Sequence, residues 1–202
     1  MKLWSSQDSP YARRVRVYLA EKNIRIAVAD AESAAGPEKT HDYLAANPKD
    51  TLPVLEFDDG ALLPESLAII EYFEERHPKP PMIGTEPAER ARVRAVDRWA
   101  EFGVLLPVVA IVRYGHPRFE TRVRQSPDVV RAARDELASG THCLDKAIGT
   151  NTFLAGETVT IADCTLFAAL KYAEEMGVRL GAELPRLRDW YTRFIERRSA
   201  SA

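Results

Sequence analysis

Cysteine is scarce in this chain, with only Cys143 and Cys164 among 202 residues and no C-x-x-C spacing. A disulfide-built domain is therefore not expected, and the composition fits a reducing cytoplasm. The histidines His41, His77, His116 and His142 are scattered, without an H-E-x-x-H pattern. His142 and Cys143 are adjacent rather than spaced for ligation, so no metal is expected. The longest apolar run, Gly103 to Val112, is ten residues interrupted by Pro107, well short of the ~20 a membrane-spanning helix needs. The start, Met1-Lys2-Leu3-Trp4, has no signal-peptide h-region. Charge of either sign is not in excess: 28 Lys and Arg face 30 Asp and Glu, for a net charge of −2. Neither nucleic acid nor an anionic membrane is expected as a partner on that ground.

What the chain does contain is an ordinary apolar fraction of 46%, enough for one large domain or two small ones. The densest signal lies between Thr51 and Phe73. Thr51-Leu52-Pro53-Val54-Leu55 puts a proline at the head of a β-prone run, which suits a strand start, an edge or a cis turn. Asp58-Asp59-Gly60 marks a hairpin, and Ala61-Leu62-Leu63 supplies its second strand. After Pro64-Glu65-Ser66 the apolar period becomes helical, through Leu67, Ile70 and Phe73. An acidic residue and a hydroxyl thus open a helix beside a strand edge.

Upstream, Lys2 to Ser6 reads as a strand, and Ser9-Pro10 opens a helix with apolar positions Tyr11, Val15, Tyr18 and Leu19. Ile24 to Ala29 reads as a second strand. A short helix is expected over Glu38 to Ala46, stopped at Asn47-Pro48. Downstream, His77-Pro78-Lys79-Pro80-Pro81 is a stiff connector. Helices follow from Pro87 through Arg113, from Pro127 to Ile148, and from about Leu187 to Arg197. Between the last two, Thr160-Ile161-Ala162-Asp163 is a capping box opening another helix, apolar on nearly every side through Leu166, Phe167 and Leu170 and so expected to be buried. Arg90, Arg92, Arg94 and Arg98, interleaved with acids, read as a solvated or subunit-facing surface. The expected division is 1–77, a linker at 78–86, and 87–202.

Leu52-Pro53 and Glu65-Ser66, in this order and with a hairpin between them, resemble the cytosolic glutathione transferases, bacterial serine type, and the similarity extends along nearly the whole chain. The capping box at Thr160 recurs at the matching point of that family. The resemblance implies an α/β plus all-α fold: a thioredoxin-like N-terminal domain, βαβαββα, followed by an all-helical domain. It implies glutathione as co-substrate, a small apolar electrophile, and a homodimer.

By that resemblance, Leu52 beside a cis Pro53 pairs with the tripeptide backbone, while Glu65 and Ser66 hold its γ-glutamyl end. Ser9 occupies the turn where redox relatives carry a cysteine, and donates a hydrogen bond to the glutathione sulfur; Ser5 and Ser6 are alternatives. Ser9-Pro10 is equally a good N-cap pair. Asp8 opposes a nearby thiolate unless it faces solvent or pairs with Arg13. Trp4 stands where tyrosine-type relatives place their tyrosine. Phe102, Leu106, Tyr114 and Tyr11 are the expected electrophile wall. Other relatives use the same thiolate for isomerisation, peroxide reduction or dehalogenation. A non-catalytic adaptor, like the stringent starvation proteins, is the alternative from another class.

Overall fold

The computed structural model describes residues 1–31, 45, 47–181 and 183–202. The helix expected over Glu38 to Ala46 lies, but for Ala45, outside the described residues. β1 (Lys2–Ser5), α1 (Pro10–Glu21) and β2 (Ala27–Asp30) form a parallel βαβ unit, and β3 (Val54–Glu56), β4 (Leu62–Pro64) and α2 (Ser66–Arg76) complete the first half. Sheet order is β2-β1-β3-β4, with β1–β3 and β3–β4 antiparallel. Leu3 pairs with Leu55, both fully buried at the centre of the sheet, and on its other side with Val28, which is half exposed on the edge strand β2. Pro64 is tolerated because β4 is an edge strand.

The second half holds α3 (Pro87–Ala100), a π-helical turn (Glu101–Leu105), α4 (Leu106–Gly115), α5 (Pro127–Ile148), α6 (Ile161–Glu175) and α7 (Pro185–Ile195). The Pro87–Arg113 helix expected from sequence is therefore interrupted. Pro107 has no N–H to return to Gly103, and the chain absorbs the missing bond by widening one turn, with Leu106 N–H bonded to Glu101 O. At the same place α5 crosses very closely. A Cβ on Gly140 would lie 2.1 Å from the Gly103 carbonyl oxygen, so only glycine fits there.

α6 is the centre of this half, with Leu166, Phe167 and Ala169 fully buried. Its capping box is present, and Asp163 does more than cap. One carboxylate oxygen accepts from Thr160 N and Oγ1 at 2.8 and 2.9 Å, the other from Leu154 N at 3.0 Å and Trp190 Nε1 at 2.8 Å. The carboxylate thus ties α6 to α7 and to the preceding loop.

The two halves are joined by charge as well as packing. Lys22 Nζ donates to the His77 and Pro80 carbonyls, each at 2.6 Å, and sits 2.7 Å from Glu74, so the proline-rich connector is anchored by a buried ammonium. Arg98, at the end of the arginine run, lies 2.5 Å from both Asp97 and Glu101, two of the acids interleaved with that run. Cys143 is exposed and Cys164 buried, and both are free. Among the described residues no helix is long and apolar enough to cross a membrane, and no group of three or more His, Cys, Asp or Glu could hold a metal.

Candidate functional site

A cleft runs between the two halves as two adjoining cavities that share Tyr11, Thr51 and Leu52. The first, about 270 Å³, is lined by Lys49, Leu52, Pro53, Glu65, Ser66, Glu101 and Leu106. The second, about 290 Å³, is lined by Ser6, Asp8, Ser9, Val109, Phe119, Tyr172 and a set of arginines.

The Leu52-Pro53 bond is cis. Pro53 precedes β3, and among the described residues neither the N–H nor the C=O of Leu52 has a hydrogen-bond partner. An extended peptide can pair with these groups as an added strand. Glu65 precedes α2 with φ +69°, a region side chains avoid, and its carboxylate makes no cap to the helix. The leading N–H groups of α2 and the positive end of its dipole are consequently left for an anion.

Ser66 is buried, and its Oγ accepts from Arg14 Nε at 2.8 Å. Because the oxygen is an acceptor there, the hydroxyl proton is free to donate toward the cavity. On its other side the Arg14 guanidinium lies 3.4 Å from Glu101. Neither Arg14 nor Lys49 was singled out in the sequence. Arg14 is three residues from Tyr11 and so shares its helix face, a signal that periodicity contains.

The three serines separate by partner. Ser5 Oγ accepts from buried Arg16 at 2.7 Å and lines neither cavity. Ser6 and Ser9 both line the second cavity. Ser9 caps α1, its Oγ accepting from Ala12 N at 3.3 Å, which leaves the hydroxyl proton unused. Asp8 is held by Arg118, not by Arg13, which forms a bidentate pair with Glu175 at 2.8 and 2.9 Å. Burial pushes the Tyr11 and Tyr172 phenols up, so both stay protonated at neutral pH.

The wall residues divide. Tyr11 and Leu106 line the cleft, while Phe102 is 56% exposed and lines neither cavity. In a π turn residues five apart stack, so Glu101 takes the face shared with Leu106, and Phe102 is rotated outward. Tyr114 lines a separate cavity with Gly115 and Pro117; Arg113, four residues after Val109, takes the cleft face instead.

The chain is similar to known proteins along nearly its whole length. Residues 3–81 match the family described as glutathione S-transferase, N-terminal domain, and residues 108–198 match glutathione S-transferase, C-terminal domain. The chain is 32% identical over 203 residues to glutathione S-transferase 2 of Saccharomyces cerevisiae, covering 98% of this chain and 87% of that one. It is 33% identical to maleylacetoacetate isomerase of Pseudomonas aeruginosa, covering 93% and 88%. A crystal structure of a glutathione S-transferase from Methylobacillus flagellatus with glutathione bound superposes with a TM-score of 0.85 at 28% identity, covering 99% of this chain and 96% of that one. The chain belongs to the glutathione S-transferase family.

Proposed function

We propose that the protein is an enzyme that conjugates the glutathione thiolate to a small electrophile. The observation that carries this is the junction of the two cavities at Tyr11, Thr51 and Leu52. A tripeptide paired with Leu52, with its γ-glutamyl carboxylate on Ser66 and the α2 N-terminus and its ammonium on Glu65, directs its thiol toward the Ser9 side. Lys49 is a cation available to the tripeptide's second carboxylate. A free thiol has a pKa of about 8.5. A hydrogen bond from Ser9 Oγ to the sulfur favours the thiolate, which attacks the electrophilic carbon while the leaving group departs with its bonding pair. Arg118 neutralises Asp8, the carboxylate that otherwise opposes a charge on the sulfur.

Isomerisation is the second reading, supported by the similarity to maleylacetoacetate isomerase; it starts from the same thiolate. A homodimer is also part of the proposal, supported by the exposed Trp99 near the end of α3 and Phe102 on the π turn that follows, and a monomeric mass in light scattering at micromolar concentration contradicts it. Retention on immobilised glutathione, with elution by free glutathione, tests the central reading. A protein acting only as an adaptor flows through.

A further inference from the structure

The second cavity carries charge beside its apolar lining of Tyr11, Val109, Phe119 and Tyr172. Arg113, Arg118 and Arg122 all line it, together with Asp8 and Asp50. Arg118 and Asp8 form an ion pair and offset one another. Among the described residues, Arg113 and Arg122 form no ion pair and no side-chain hydrogen bond. Arg113 stands in the last turn of α4, where a cation favours the helix dipole, but Arg122 lies beyond the short turn Pro117–Phe119 and has no such role. Two guanidinium groups from separate segments therefore converge, unspent, on the cavity that holds Ser9.

From this we infer that the electrophile is an anion: a small molecule carrying a carboxylate in addition to its reactive carbon. The inference rests on the glutathione reading above, since it names the partner of that thiolate. A thiolate at the Ser9 end repels a second anion; arginines there favour the thiolate whatever the electrophile, but only an anionic substrate also draws on them for its own binding. For an anionic substrate they supply the missing attraction, with the planar fork that matches a carboxylate. Tyr11 and Tyr172, protonated and facing the same space, leave room for an aromatic or unsaturated body.

The test uses a matched pair, 4-chloro-3,5-dinitrobenzoate and its methyl ester. In each, the glutathione sulfur bonds to the ring carbon carrying chlorine, chloride leaves with the bonding pair, and the thiol proton passes to solvent. After correction for the uncatalysed rates, the carboxylate is expected to have at least a tenfold higher kcat/KM than the ester, carried by KM. The preference should fall toward unity in ~0.5 M salt, because these guanidinium groups are exposed and screened. Arg113→Gln combined with Arg122→Gln should abolish it, each single variant in part, with native circular dichroism and unchanged calorimetric affinity for glutathione. Equal or higher kcat/KM for the ester in the wild type overturns the inference, as does a preference that survives the double variant. Calorimetry with unreactive 3,5-dinitrobenzoate separates the two readings. If it binds through the arginines while glutathione does not bind, the transferase reading fails and the anion site stands; glutathione binding without any carboxylate preference gives the reverse.

Discussion

Arg14 Nε donates to Ser66 Oγ at 2.8 Å, and through this bond the first helix supports the residue that opens α2. The same guanidinium faces Glu101, on the π turn of the helical half, so one buried side chain spans the floor of the cleft. A hydroxyl proposed to bind ligand is thus also an acceptor for a buried cation, and the two roles are linked.

Ser66→Ala is expected to weaken glutathione binding by about 1–2 kcal/mol, the scale of one hydrogen bond to a charged group. It should also lower stability by about 1–3 kcal/mol, since Arg14 Nε loses its acceptor in a buried setting. Calorimetry and urea unfolding read the two effects separately. An unchanged affinity removes Ser66 from the site, whatever happens to stability.

Ser9→Ala is expected to lower turnover roughly tenfold and raise the pKa of bound glutathione by about one unit, the two being the same ~1.4 kcal/mol. Because Ser9 Oγ also accepts from Ala12 N, about 1 kcal/mol of stability should be lost with it. Ultraviolet titration of the thiolate in the binary complex checks the first effect. A stability loss with an unshifted thiol pKa assigns Ser9 to capping alone and leaves Ser6 to face the sulfur.

Glu21 provides a pH signature. Its burial alone raises the carboxyl pKa, but hydrogen bonds from Arg197 and Ser199 outweigh this and hold it below the usual range. A depressed folded-state pKa contributes stability that is present above the unfolded value and lost as pH falls through the folded one. Glu21→Gln should therefore destabilise the protein at neutral pH by about 2 kcal/mol, a charged hydrogen bond's worth. The gap between wild type and variant should close on acidification below pH 4. A gap constant from pH 7 to pH 3 in thermal unfolding contradicts the assignment.

Asp163→Ala strands the donors of Thr160, Leu154 and Trp190 in a fully buried position. The expected loss is at least ~3 kcal/mol, since each unsatisfied buried donor costs about 1–3 kcal/mol. Asp163→Asn, which keeps one acceptor oxygen, should lose less. Denaturant midpoints of the two variants give the order, and equal midpoints contradict it.

Local chemistry announces itself in a sequence when one residue type serves a need that few others can meet. Leu52-Pro53, Asp58-Asp59-Gly60, Ser9-Pro10 and the Thr160–Asp163 box are of this kind: a proline without an N–H, a turn glycine, caps with a hydroxyl or carboxylate. From them alone the sheet, its hairpin, the helix starts and the glutathione transferase resemblance could be read, because each constraint acts within a few residues. Strand and helix ends were less legible, as with β2, which begins at Ala27 rather than Ile24; pairing with β1 decides where it starts.

The chemistry of the second cavity was decided by tertiary structure. Pro107 was visible in the sequence, but whether a helix answers a missing N–H with a kink or a widened turn depends on what packs there, and here α5 approaches within glycine contact of Gly103. The widened turn exchanges Phe102 for Glu101 on the cleft face. Arg113, Arg118 and Arg122 are spread over ten residues with no helical period in common, so only the fold around Pro117–Phe119 brings them to one cavity. Nor could the sequence pair Arg14 with Ser66, fifty-two residues apart, because long-range contacts follow from how the elements pack and not from the spacing along any one of them.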